Sequence, residues 1–306
     1  MAAPVSTDTF VQRGVTPPLP LPGAMNWTQE IPTKTHTENL NAWFDSIHYQ
    51  RLYGHRDDSE AADFIDALIK RLRPCAAASF LDVACGIGRH AKYLASKGFR
   101  VTGFDLAAEA IKTAKKAERA GLRFFQHDMR MPFGGKSFDY VFNFFTSFGY
   151  FECPHEHFAV VRNMANSLTA GGALVLDYLN MYSAEANLVP HELKRIENFT
   201  YYLTRWSDRN YIFKKIVIEP RDCDEPREYV ERVSKFTLRD FQQMFARCGL
   251  SITEVYGDYA LNPYDMLNSP RLIMIAHRAE TSQVAGSTMD SRVFDSAGAS
   301  ESCNVI

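Results

Sequence analysis

No stretch of this 306-residue sequence approaches the roughly 20 apolar residues that a membrane helix needs. The N-terminus has no basic segment followed by an apolar one, so no secretory signal is read there. Neither sign of charge is in excess. Lys and Arg number 34, Asp and Glu 36, for a formal net charge of -2. No long-range attraction to nucleic acid or an anionic membrane follows from that balance. Cysteines are few and scattered, at Cys75, Cys85, Cys153, Cys223, Cys248 and Cys303, with no C-x-x-C pair. They read as free thiols of a reducing, cytoplasmic compartment rather than a disulfide framework. There is no H-E-x-x-H, and a metal site has no support.

What is present is punctuation and alternation. Residues 1–38 are rich in Pro, Thr and Ala, and 280–306 in Ser, Ala and Gly. Both ends are expected to be disordered. The domain is expected over 39–279. Helical spacing runs from Leu40 to Leu72 as one or two helices. Short apolar strands then alternate with helices: Phe80–Ala84, Phe99–Phe104, Leu122–Gln126, Phe138–Asn143 and Ala173–Tyr178 as strands, with helices near 91–95, 107–120 and 155–168 between them. That rhythm predicts an α/β fold, a mostly parallel sheet with helices on both faces. It breaks over about 181–235, where Phe199–Leu203, Tyr211–Ile218 and Tyr229–Phe236 are strand-like. A small antiparallel insertion after strand five, acting as a lid, is expected there. Thr237 then caps a helix to Cys248, and strands follow at Ser251–Tyr256 and Leu272–His277.

The chemistry-bearing signal is Leu81-Asp82-Val83-Ala84-Cys85-Gly86-Ile87-Gly88-Arg89-His90. A strand ends, glycines turn the chain, and a helix begins with its free N–H groups. Gly86-Ile87-Gly88-Arg89-His90-Ala91 also fits the dinucleotide pattern G-x-G-x-x-A, so NAD(P) stays open at this point. Asp82, four residues before Gly86, suits an ammonium and repels a pyrophosphate. Asp105 stands at the tip of the next strand, where a carboxylate takes ribose hydroxyls; that position serves NAD equally well. Asp128 follows the third strand and can accept from an adenine amino group, with Met129 packing the ring.

Taken together these residues resemble the class I S-adenosylmethionine-dependent methyltransferases, from about Trp43 to Arg278. The resemblance implies a Rossmann-like, seven-stranded sheet whose last strand is antiparallel, and S-adenosylmethionine as cofactor. It implies that Asp82, Ala84, Gly86 and Gly88 hold the methionine end, that Asp105 holds the ribose with Leu106 beside the adenine, and that Asp128 and Met129 hold the adenine. It implies that the Phe144 carbonyl meets the methionine ammonium. Many members carry Gly-Cys-Gly where this chain has Ala84-Cys85-Gly86. In the N-terminal helices, Arg56 or His55 is a candidate partner for the methionine carboxylate, and Tyr53 for closing the pocket.

The methyl group of a sulfonium is already activated, so positioning carries much of the rate and a base matters only for an acceptor that must lose a proton early. His90 and Tyr150 are the candidate proton acceptors. Phe148, Tyr150, Tyr178, Asn180 and Arg271 are the candidate acceptor contacts. The sequence lacks the Asn-Pro-Pro-Tyr of amino-directed nucleic-acid methyltransferases and any basic, aromatic stripe, which favours a small-molecule acceptor and no nucleic acid. A monomer or homodimer is expected. Cys303-Asn304-Val305-Ile306 has the C-a-a-X form of a prenylation site; without a polybasic segment a single lipid anchors only marginally, and chance explains the match. The alternatives weighed are an NAD(P)-dependent oxidoreductase, an aminopropyltransferase, which would want a dense acidic groove, and a non-catalytic S-adenosylmethionine-binding protein.

Overall fold

The computed structural model describes residues 36–53, 58–135, 137–221 and 225–278. The expected disordered arm lies outside these residues except for its last three positions, and the expected tail lies outside them entirely. So do Arg56, His55 and Cys303.

Three helices come first, α1 (His36–Phe44), α2 (Ile47–Tyr53) and α3 (Asp58–Leu72), where one or two were expected. The break between the first two is a turn at Asp45–Ser46 whose Ser46 hydroxyl accepts from the Tyr49 N–H at 3.1 Å. Helix α3 turns Ala61, Phe64, Ile65 and Leu68 inward and its charged residues outward. The alternating region then gives β1 (Ser79–Val83), α4 (Arg89–Ser96), β2 (Arg100–Asp105), α5 (Ala108–Lys115), β3 (Leu122–Gln126), β4 (Phe138–Asn143), α6 (Pro154–Ser167) and β5 (Leu168–Leu179). Helix α5 stops five residues before the expected Ala120. Strand β5 starts five residues before the expected Ala173, because Gly171, at φ 73°, bends the strand without ending it.

The main sheet closes with α8 (Leu238–Arg247), β10 (Leu250–Tyr256) and β11 (Arg271–Arg278). Thr237 caps α8, its hydroxyl and N–H both donating to Asp240 Oδ2 at 2.6 and 2.8 Å. The seven strands lie in the order β10-β11-β5-β4-β1-β2-β3. Strands β1 to β5 pair in parallel, and β11 runs antiparallel between β5 and β10. Both faces are covered. Phe64, Leu68, Leu94 and Ile111 pack one side, and Val160, Met164, Phe241 and Phe245 the other.

The insertion consists of α7 (Met181–Ala186) and four strands, β6 (His191–Ile196), β7 (Phe199–Ser207), β8 (Tyr211–Pro220) and β9 (Arg227–Ser234), in one antiparallel sheet. Asp208 builds the expected turn between β7 and β8, its Oδ1 accepting from the N–H groups of Asn210 and Tyr211 at 2.7 Å each. The sheet buries Tyr201, Leu203, Ile216 and Ile218 against Trp43 and Leu52. It therefore shares a core with the N-terminal helices, 150 or so residues earlier in the chain. No helix among the described residues is long and apolar enough to cross a membrane.

Candidate active site

The C-terminal tips of β1, β2, β3 and β4, with α1 and α2 above them, enclose a cavity of about 910 Å³. That is near the upper end of the range usual for small-molecule sites, roughly 300–1,000 Å³. Beyond β1 the backbone passes through left-handed conformations at Ala84 (φ 59°), Gly86 (φ 56°) and Gly88 (φ 78°). The glycines differ in what they leave room for. A Cβ at Gly86 would meet no protein atom, whereas one at Gly88 would stand 2.6 Å from the Phe124 ring. Gly86 thus keeps cavity space open, and Gly88 lets α4 approach the sheet. Ala84 adopts the left-handed geometry without being glycine, so the departure from Gly-Cys-Gly leaves the turn intact at some cost in strain.

Asp82, Asp105 and Asp128 all line the cavity. Asp105 is held by the loop itself, accepting from the Gly86 N–H (2.8 Å) and the Ala107 N–H (2.9 Å). Burial raises its carboxyl above the ordinary range, against those two bonds. Asp82 is 2 % exposed, and its Oδ2 has no hydrogen-bond partner. Burial, and then the charge of Asp105, push its carboxyl up to about 7. A buried carboxylate with one oxygen unpaired, beside an open backbone cradle, fits the ammonium of S-adenosylmethionine. Asp128 is clamped by Arg130, whose Nε and Nη2 reach it at 3.0 and 2.6 Å and whose Nη1 reaches Glu156 at 2.7 Å. Burial would raise the Asp128 carboxyl, but the Arg130 bonds outweigh it and hold it below its usual value. Leu106 and Met129 line the same end.

His90 lines the cavity, its ring 5.0 Å from Phe144 and 5.2 Å from Phe145. Burial, with Arg89 adding to it, lowers its pKa to about 3. Such an imidazole stays neutral and is a poor proton acceptor, which corrects that expectation. The Phe144 carbonyl accepts from the Ser147 N–H (3.2 Å) and hydroxyl (2.8 Å), so its lone pairs are engaged within the turn rather than held open for an ammonium.

The acceptor contacts need more revision. Tyr150 lines the cavity, packed edge-on against Phe44 at 5.2 Å. Phe148 and Tyr178 do not: both are fully buried in the core, with the Tyr178 hydroxyl donating to the Ser234 carbonyl at 2.5 Å. Asn180 holds the β10–β11 connection, donating to the carbonyls of Ser269 (2.7 Å) and Met266 (3.0 Å). Arg271 is paired with Asp177 at 2.7 Å. Nearness to a strand end is what suggests these four in the sequence. The strands that carry Tyr178 and Arg271 are covered on both faces, so a strand-tip position did not give access.

Tyr53 lines the cavity and donates to Glu231 Oε1 at 3.1 Å; it also accepts from Lys214. Glu231 further accepts from Trp43 Nε1 at 2.6 Å. The cavity lining Asp45, Phe44, Tyr49 and Arg130 was not foreseen. Among the described residues no cluster of three or more His, Cys, Asp or Glu is placed to hold a metal ion.

A family profile described as a methyltransferase domain matches residues 80–172, from β1 into β5. The dTDP-3-amino-3,6-dideoxy-alpha-D-glucopyranose N,N-dimethyltransferase of Streptomyces fradiae is 27% identical over 242 residues, covering 72% of this chain and 87% of that protein. The structure of CalS10, an amino pentose methyltransferase of Micromonospora echinaspora solved with bound S-adenosylmethionine, is 25% identical and superposes with a TM-score of 0.58 over 76% of this chain and 98% of that one. An S-adenosylmethionine-dependent methyltransferase from Clostridium acetobutylicum, at 18% identity, shares the fold with a TM-score of 0.64 over 76% of this chain and 96% of that one.

Proposed function

We propose, for a chain that belongs to the class I S-adenosylmethionine-dependent methyltransferases, that the methyl acceptor is the amine nitrogen of a small polar molecule. The observation that carries this reading is the lining of the cavity. Asp45 and Asp58 stand in it in addition to the three acids assigned to the cofactor, and Phe44, Tyr49, Tyr150 and Phe151 supply aromatic wall. Acids accept from the N–H groups of an amine, and ring faces favour the methylammonium that the transfer produces. Of the two imidazoles that line the cavity, His90 is held neutral down to far below physiological pH, and His127 Nε2 is engaged with the Met131 carbonyl at 3.1 Å. A neutral amine brings its own lone pair and needs no base at the moment of attack.

When bound, the cofactor supplies a sulfonium methyl group already primed for in-line displacement. The protein's part is then placement and exclusion of water. In this reading Asp82 holds the ammonium, the Gly86 backbone lies along the methionine end, and Asp105 faces the ribose. Asp128, steadied by Arg130, and Met129 face the adenine, and Tyr53 closes the far side. Helices α1 and α2 with the small sheet form the lid over the acceptor. The amino-sugar substrates named for the Streptomyces and Micromonospora proteins support an amine acceptor. The free thiols of Cys75, Cys85, Cys153 and Cys248 support a reducing, cytoplasmic setting.

A screen of small amines, amino sugars among them, against matched phenols, carboxylates and thiols tests the reading. Production of S-adenosylhomocysteine is the measure. Turnover confined to the amines is expected; turnover confined to oxygen or sulfur acceptors would overturn it.

A further inference from the structure

Past β4 the chain turns through two consecutive left-handed residues, Phe145 at φ 57° and Thr146 at φ 56°. Neither is glycine, and a β-branched residue there is a pronounced outlier. Strained backbone of this kind persists only where the surroundings over-determine it. Here they do, and the determinants all come from outside the cavity. Asp177, fully buried on β5, accepts the Phe145 N–H on its Oδ2 at 2.8 Å, and its carbonyl accepts the Thr146 N–H at 3.2 Å. Arg271 on β11 bridges the pair, donating from Nε to Asp177 Oδ1 at 2.7 Å and from Nη2 to Thr146 Oγ1 at 3.0 Å. The Tyr259 hydroxyl donates to Asp177 Oδ2 at 3.2 Å.

The strained pair, in contrast, belongs to the cavity wall: Phe145, Thr146 and Ser147 all line it. The Phe145 ring faces His90 at 5.2 Å, and the Arg89 guanidinium lies 5.5 Å from its centroid. A left-handed pair at this point fixes where that ring stands and where the following residues, up to Tyr150, enter the cavity.

The geometry points to Asp177, with Arg271, as a positioning residue for methyl transfer: it touches no ligand, and holds the Phe145–Thr146 turn in the form that shapes the reaction space. This rests on the reading of the cavity as a methyl-transfer site. A carboxylate is suited to the task because one group must accept a backbone N–H, a guanidinium and a phenol at once.

The test uses the full chain and three variants, Asp177→Asn, Arg271→Lys and the double variant Asp177→Asn with Thr146→Gly. Binding of S-adenosylhomocysteine is followed by calorimetry, and kcat and KM with the amine acceptor that the screen above identifies. Asp177→Asn is expected to lower kcat at least tenfold with less than a threefold change in S-adenosylhomocysteine affinity. Thr146→Gly, which accepts the left-handed geometry without strain, is expected to restore several-fold of that loss; a role confined to general stability would not be rescued at this residue. Arg271→Lys keeps the charge but cannot reach both partners, and an intermediate loss is expected; it carries the test if Asp177→Asn does not fold. A second readout needs no acceptor. Amide exchange at Phe145 and Thr146 is expected to quicken at least tenfold in Asp177→Asn while Val141 and Phe142 in β4 stay protected. Unchanged exchange, kcat within twofold of the parent, or failure of Thr146→Gly to restore it overturns the inference. Absence of turnover by the parent protein counts against the methyl-transfer reading instead, and the exchange data then decide the role of Asp177 alone.

Discussion

Asp82 and Asp105 reach one loop from neighbouring strand tips, and they are satisfied unequally: Asp105 accepts two backbone N–H groups, while Asp82 Oδ2 has no partner. Burial, and then the charge of Asp105, let Asp82 keep its proton up to about 7. An ammonium brought beside it favours the ionised form. Binding of S-adenosylhomocysteine should expel that proton. Calorimetry near pH 6 in buffers of different ionisation enthalpy is expected to show release approaching about one proton, with affinity rising toward pH 8. In Asp82→Asn the release should vanish and affinity should fall at least tenfold. Proton release that persists in this variant would assign it to another group.

Asp82 and His90 pull stability in opposite directions over one pH range. The Asp82 carboxyl has its pKa raised from 3.8 to about 7. Between those values the folded chain holds a proton that the unfolded chain has lost, so stability falls as pH rises. The His90 imidazole is lowered from 6.5 to about 3. There the unfolded chain holds the extra proton, so stability rises with pH. Each contributes a slope of up to about 1.4 kcal/mol per pH unit. Urea unfolding from about pH 4 to 6.5 should show Asp82→Asn gaining a steeper rise than the parent and His90→Phe a steeper fall. Identical slopes in all three would mean that neither group is shifted.

Gly86 and Gly88 share a left-handed φ but not a function. Gly86→Ala should cost about 1 kcal/mol of strain and show its main effect as weakened cofactor binding. Gly88→Ala drives a methyl group into Phe124 and should cost about 2–3 kcal/mol in chemical denaturation. Ala84→Gly removes strain but adds unfolded-chain entropy, for a net change within about 0.5 kcal/mol. A larger loss for Gly86→Ala than for Gly88→Ala would contradict the two environments.

Glu231 ties Trp43 and Tyr53 to the small sheet. Replacing it with Leu leaves the Trp43 N–H buried without that acceptor and is expected to cost about 3 kcal/mol. The cofactor should also dissociate faster, measured by stopped-flow, because the Tyr53 hydroxyl loses its Glu231 acceptor while keeping its bond from Lys214. Unaltered dissociation in a folded Glu231→Leu protein would separate the cluster from the site.

Much of this was legible in the sequence, for identifiable reasons. Strands β1 to β3 are short, and each ends on or within three residues of a glycine or an acid, at Gly86, Asp105 and Asp128. The three acids at successive strand tips were placed in one cavity as spacing required. Strand β6 was missed because His191–Ile196 alternates exposed with half-buried residues and carries four charged or imidazole side chains, so it has no apolar signature. Phe148, Tyr178 and Asn180 were misplaced because a residue's distance from a strand tip does not tell which way its side chain turns. Asp177 gave no signal at all: Leu176-Asp177-Tyr178 reads as an ordinary buried strand, and the carboxylate's role appears only when β11 brings Arg271 across from 94 residues away.

The contact between Trp43 and Glu231 spans 188 positions of chain. A ribosome will have released the complete glycine turn and its three acids well before the acceptor for that indole exists. A growing chain of some 200 residues would thus carry the glycine turn and its three acids, but neither the Glu231 that ties down Trp43 nor the Arg271 that holds the Phe145–Thr146 wall. Fixing both is therefore a late step of synthesis.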